Sequence, residues 1–295
     1  MSSISNSSYA STSYQSMEDL SLATASINLG IDSYGMIDNL SELEAAFCQA
    51  TKNFSEAEVI QYVRDGHLPP AKQAFKIRKK CNHNIATSLV VLASGTIFRT
   101  GKNKEINQGA CSLPGGNESI LLGQGCNKKV FSVKDLNTQK QVAIAVAIEN
   151  YPDTLLEMQH EAEVTNQISS PYILRVDYYV RPIELKSGIS DQFRKGYLES
   201  EVCLGGSLKE HQELATDPIV RAQLVLAVKA THAAGFAHHD IDAGNVVFVD
   251  IPNTEQSLTL RIKLIDFAQA QKLRDTNKEE LIQRDANQLG RLCPW

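Results

Sequence analysis

The chain has 295 residues, of which 42% are hydrophobic and 21% charged, so there is ample material for a packed core, and its net charge of -5 gives no electrostatic reason to expect a nucleic-acid partner. No apolar run is long enough to span a bilayer. The six cysteines (Cys48, Cys81, Cys111, Cys126, Cys203, Cys293) form no C-x-x-C pair and do not group with His83 into four zinc ligands, so they read as reduced thiols in a cytoplasm.

Residues 1–38 form a leader rich in serine towards its start; it lacks the basic and apolar regions of a secretory signal and is expected to be disordered. Leu40 to Phe47 and Ser55 to Val63 have the pattern of amphipathic helices, the second opened by the capping box Ser55-Glu56-Ala57-Glu58 and closed at Gly66. Pro69-Pro70 breaks the chain, and Ala71 to Lys80, with five lysines and arginines, reads as a solvated helix face. Ser88 to Leu92 and Thr96 to Thr100 flank Gly95 as a hairpin that could extend a following sheet. Residues 39–110 are thus expected as a helical and hairpin extension, with Gly101 to Gly116 a polar linker.

Beyond the linker, Ile120-Leu121-Leu122 leads into the glycine-rich Leu122-Gly123-Gln124-Gly125-Cys126-Asn127-Lys128-Lys129-Val130-Phe131, and Val142 to Val146 reads as a strand. A helical stretch from about Leu155 to Ile168 ends at Ser169-Ser170-Pro171. Tyr197 to Leu208 comes next, and Asp217-Pro218 is a good N-cap and first-turn pair for a helix leading to Gly235. Then comes His238-His239-Asp240-Ile241-Asp242-Ala243-Gly244-Asn245, a hairpin formed by Val246 to Val249 and Leu258 to Ile265, and Asp266-Phe267-Ala268. Asp240, Asn245 and Asp266 therefore sit on loops beside one short sheet. Phosphoryl transfer needs this set: one carboxylate to accept a hydroxyl proton, and an amide and a second carboxylate to hold the metal that neutralises phosphates.

These motifs, in this order, resemble those of the protein kinase-like superfamily: the glycine-rich loop, the V-A-I-K strand, the αC glutamate at Glu161, the hinge at Glu201 to Leu208, the catalytic loop H-R-D-x-x-x-x-N and D-F-G. The resemblance implies an α+β bilobal fold over residues 117–295, with a small antiparallel-sheet lobe to about 203 and a reduced helical lobe from about 204. It implies ATP and Mg2+ as cofactors and phosphorylation of serine or threonine hydroxyls on a protein substrate. Asp240 would be the base, Asn245 and Asp266 the magnesium ligands, and Gly123 and Gly125 the phosphate lid. The backbone of Glu201 and Cys203 would take adenine, with Ser200 at the gatekeeper place and Val130, Ala143 and Val247 around the ring.

Several positions depart from the family pattern. The strand lysine is Ala145, as in the with-no-lysine kinases, which supply the charge from the glycine-rich loop; Lys128 occupies that place here and would pair with Glu161. The alternative is that Lys128 and Lys129 are both solvated charges on an exposed turn, one of which must point outward by strand alternation. His239 replaces the arginine that meets a phosphorylated loop, Asp242 replaces a cation, and Ala268 replaces a glycine. No A-P-E segment precedes Asp285 to Gly290, which resembles the start of αF, so the chain reads as a minimal or a truncated pair of lobes. Minimal domains of this kind are known among kinase-like bacterial effectors, and the Ser-rich start resembles their export signal. That implies a secretion chaperone at the N-terminal region and export into a host cell. Three competing readings are a pseudokinase that binds nucleotide or a host protein without turnover, a small-molecule phosphotransferase, and a purely structural interaction module, which would have no need for Asp240, Asn245 and Asp266 together.

Overall fold

A computed structural model describes residues 40–78, 88–100, 114, 119–148, 152–183, 193–252 and 260–293. The chain divides into two units, Met1–Leu43 and Glu44–Trp295. The first enters the described residues only through residues 40–43, so the expected leader lies outside them, as does most of the expected linker.

Helix α1 (Leu40–Thr51) precedes α2 (Glu56–Arg64), whose capping box forms as the sequence predicts: the Glu58 N–H donates to Ser55 Oγ at 3.3 Å and the Ser55 N–H to Glu58 Oε2 at 2.6 Å. The basic segment after Pro69-Pro70 departs from the expected solvated helix. Ala74–Arg78 is strand β1, paired antiparallel with β2 (Ser88–Leu92), which pairs in turn with β3 (Ile97–Thr100). Phe75 and Ile77 lie two residues apart on one buried face, and Phe75 meets Phe47 of α1 edge-on at 5.4 Å. The period of two in the apolar residues outweighed the charge count.

The second sheet is antiparallel, in the order β4 (Ile120–Gln124), β5 (Lys128–Lys134), β6 (Gln141–Ala147), β8 (Phe193–Ser200), β7 (Asp177–Ile183). The β2–β3 hairpin does not extend it. Ala74, Val90, Leu92 and Phe98 instead share one buried cluster with Phe131, Ile144, Val146 and Tyr197, so the small sheet covers the outer face of the large one. Arg181 and Glu44 pair at 2.7 Å with side chains only 16% and 13% exposed, and the same carboxylate accepts the Lys76 N–H at 2.8 Å. Helix α3 (Pro152–Thr165) lies on the inner face, packing Leu155, Met158 and Ala162 on Ala145, Ala147 and Leu198. The close approach requires a glycine, because a Cβ on Gly196 would stand 2.7 Å from Leu155 Cδ2.

The lower lobe is built on α4 (Pro218–Ala233), capped as expected by Asp217 Oδ1, which accepts the N–H groups of Ile219 at 2.8 Å and Val220 at 3.2 Å. Strand β9 (Phe236–Ala237) pairs with β12 (Gln271–Lys272), and β10 (Val246–Phe248) with β11 (Ile262–Leu264). Helix α5 (Lys278–Leu292) closes the described chain. Val220, Leu224, Phe248, Leu264 and Phe267 lie in the core beneath these elements. The result is the expected α+β arrangement of an antiparallel-sheet lobe and a small helical lobe.

Candidate active site

Between the lobes runs a cleft of about 540 Å³, within the range of small-molecule sites. Its walls bring together Gly123, Gly125, Lys128, Val130, Ala143, Glu161, Ser200, Glu201, Cys203, Asn245, Val247 and Asp266. Asp240 does not line it directly but is joined to it through Asn245, whose Nδ2 donates to Asp240 Oδ2 at 3.1 Å and to the Asp240 carbonyl at 2.9 Å.

On β5, alternation sends Lys128 and Val130 into the cleft and Lys129 to the outer face. Lys129 is nevertheless not the solvated charge that a loose turn would leave, since only 9% of it is exposed. Lys128 Nζ donates to Glu161 Oε2 and, at 2.9 Å, to Asp266 Oδ1. Burial alone would lower the Lys128 pKa, but the two carboxylates outweigh it and hold the ammonium above its ordinary value. The carboxylate of Glu161 also accepts the backbone N–H of Phe267. Ala145 lies on the floor of the same cleft and supplies no charge.

Among the described residues, a Cβ on Gly123 would meet nothing within 4 Å, and one on Gly125 only the Lys128 carbonyl at 3.9 Å, so none of them fills the space at these glycines. That space suits the approach of an anionic group to backbone N–H groups. At the other end, the Glu201 carboxylate is turned away to Lys263 at 2.6 Å, and Ser200 Oγ donates to the Glu201 carbonyl at 3.1 Å. Burial raises the Cys203 thiol to about 11, which leaves it uncharged at neutral pH.

The lower rim is held by Asp285, which the resemblance to αF marked without giving its partners. Asp285, fully buried in α5, accepts the N–H groups of His238 at 2.9 Å and His239 at 2.8 Å, and His232 Nε2 at 2.8 Å. Burial would raise its pKa, but these three partners outweigh it and hold the carboxyl below the usual carboxylate range. His239 can therefore keep a left-handed φ of 72°, its carbonyl taken by Gln288 Nε2 at 3.1 Å. His238 Nε2 donates to the Ile265 carbonyl at 3.0 Å, and its Nδ1 accepts the Asp240 N–H at 3.3 Å. A signal was available: Leu281, Asp285 and Leu289 share one helical face, and an acid on an apolar stripe needs partners.

Asp242 does not replace the missing cation. Its Oδ1 accepts the N–H groups of Gly244 at 2.5 Å and Asn245 at 3.1 Å, capping a short 3-10 turn. Asp266 is left-handed at φ 63°, while Ala268 lies inside the 3-10 turn Phe267–Gln269, where alanine costs nothing special. The Asn245 carbonyl accepts the Ile265 N–H at 2.9 Å, which sets Asn245 beside the strand end that carries Asp266. Among the described residues no group of three or more histidine, cysteine, aspartate or glutamate side chains could cage a metal. One amide and one carboxylate suit magnesium that keeps water and is shared with phosphate oxygens.

Comparison with known proteins agrees with this architecture. The protein kinase domain family matches residues 117–287, more than half of the chain, and the chain belongs to that family. Similar proteins include a probable serine/threonine-protein kinase of Dictyostelium discoideum, 26% identical over 136 residues that cover 43% of this chain and 28% of that protein. A second from the same organism is 25% identical over 179 residues, 57% of this chain and 33% of that protein. The serine/threonine-protein kinase PknD of Mycobacterium tuberculosis is 27% identical over 136 residues, 43% of this chain and 19% of that protein. The chain thus spans a third or less of the length of these curated relatives. No helix among the described residues is long and apolar enough to cross a membrane.

Proposed function

We propose that the chain is an ATP- and Mg2+-dependent protein kinase acting on serine or threonine hydroxyls. The observation that carries this reading is the joining of Lys128, Glu161 and Asp266 across both lobes, which gives the cleft the cation that Ala145 cannot. Magnesium-bound ATP would supply the transferable phosphoryl group and the metal charge. Lys128 would hold phosphate oxygens from the lid, as a point charge that needs no fixed plane of approach. Asn245 Oδ1 and the second oxygen of Asp266 would hold the metal. Val130, Ala143, Val247 and the backbone of Glu201 and Cys203 would take the adenine. Asp240, oriented by Asn245, accepts the proton of the acceptor hydroxyl. The serine/threonine kinases among the similar proteins support the acceptor class.

The test is incubation of the purified chain with magnesium and radiolabelled ATP, with and without a lysate as acceptor, beside Asp240→Asn. Label transferred by the unaltered chain and lost in the variant supports the reading; equal label in both defeats it. A pseudokinase is the second reading, favoured by the catalytic-loop carboxylate of Asp242 being spent as a cap where a cation would assist transfer. Nucleotide binding without label transfer would select it.

A further inference from the structure

His160 stands one residue before Glu161 on α3, half-buried, and its Nε2 lies 2.8 Å from the carbonyl oxygen of Ala270. A carbonyl only accepts, so Nε2 carries the hydrogen. Ala270 ends the 3-10 turn that comes after Asp266 and is itself buried. The next two residues are β12, paired with β9, and β9 runs directly into His238 and Asp240. From the catalytic loop, His239 Nδ1 lies 3.4 Å from Gln271 Nε2. The segment 270–271 is therefore reached by a histidine from each lobe.

We infer that His160 is a positioning residue that fixes α3 against the segment after Asp266, so that Glu161 meets Lys128 without a phosphorylated loop to draw the helix inward. The Glu161–Lys128 contact cannot do this alone, and the His160 bond adds to the one between Glu161 and the Phe267 N–H. The Lys128 contact depends on a lid residue and on Asp266, both of which a magnesium nucleotide would engage. The His160 bond uses neither. It ties the helix to backbone that is already laid on the lower lobe. Its value for catalysis rests on the phosphotransfer reading; the bond itself does not.

The experiment is hydrogen exchange by mass spectrometry on the nucleotide-free chain, for His160→Ala, His160→Gln and the control Gln159→Ala, which removes a side chain bonded to Glu163 on the same helix. In His160→Ala, exchange should rise about tenfold, the equivalent of one lost hydrogen bond, in peptides covering residues 152–165 and 266–273, and stay unchanged in α2 and in β10. His160→Gln, whose amide can donate to the same carbonyl, should recover part of the protection, and the control should match the unaltered chain. Unchanged exchange in the two segments overturns the inference, as does a uniform rise over the whole chain. Affinity for magnesium-ATP should weaken in His160→Ala and recover in His160→Gln. If the unaltered chain binds no nucleotide while the exchange pattern holds, the kinase reading falls and the positioning role stands.

Discussion

In the upper lobe Lys128 is held by carboxylates 33 and 138 residues away, on a helix and on the opposite lobe, whereas in the lower lobe the fully buried Asp285 holds the catalytic loop mainly through backbone N–H groups. The first hub is made of long side chains, and its Lys128–Asp266 half joins the two lobes; 36% of the Asp266 side chain is exposed. The second is made of main chain, the His232 ring and one buried acid, all within the lower lobe. The difference separates a part that a ligand can rearrange from a part that presents Asp240 and Asn245 in fixed relation.

Breaking the lower hub should have the largest effect. Asp285→Ala leaves two N–H groups of a left-handed loop and His232 without their buried acceptor, and should destabilise the chain by roughly 3–5 kcal/mol, read by denaturant unfolding. A loss below about 1 kcal/mol would mean that the loop is held elsewhere. Next comes the chemistry that this hub presents: Asp240→Asn should lower turnover by about 100-fold or more while nucleotide affinity holds, since it touches no proposed metal ligand.

The upper hub should respond more gently and reversibly. Lys128→Met should weaken magnesium-ATP binding by roughly tenfold or more, and Lys129→Met, on the outer face, should leave it unchanged. Ala145→Lys in the Lys128→Met background should recover part of the loss, because Ala145 opens into the same cleft as Glu161. Matched titrations for the two lysine variants would remove Lys128 from the site.

The smallest effect is a titration that belongs to the lower lobe. His238, fully buried, is pushed below the ordinary histidine value chiefly by that burial, against the pull of the Ile265 carbonyl and the nearby acids. An unfolded chain protonates this ring near pH 6.5, the folded chain only at lower pH, so the unfolded state binds more protons in that window. The contribution is complete above about pH 6.5 and is lost as pH falls from there, at no more than about 1.4 kcal/mol per pH unit. Melting temperatures between about pH 7.5 and pH 5.5 should decline, and His238→Gln should flatten the decline.

Most strands and helices from Ile120 to Gly290 were legible in the sequence, because glycine-rich turns, caps and alternating apolar runs are local signals whose partners lie within a few residues, but strand Asp177–Ile183 and the Phe236–Ala237 and Gln271–Lys272 pair were not. Asp240, Asn245 and Asp266 were legible for the same reason: each sits in a short motif beside one hairpin. Alternation told which of Lys128 and Lys129 faces inward. The resemblance also led to the Lys128–Glu161 pair, but nothing local could tell that Asp266 would reach the same ammonium, since that contact closes only when the lobes meet. The contacts of Asp285 and the bond from His160 to Ala270 span 47 and 110 residues; the αF-like segment marked Asp285 but not its partners, and the His160 bond leaves no local trace. The strand at Ala74–Arg78 was misread because its lysines and arginines dominate the composition, while its conformation was decided by Phe75 and Ile77 finding a neighbouring strand and a helix to cover them.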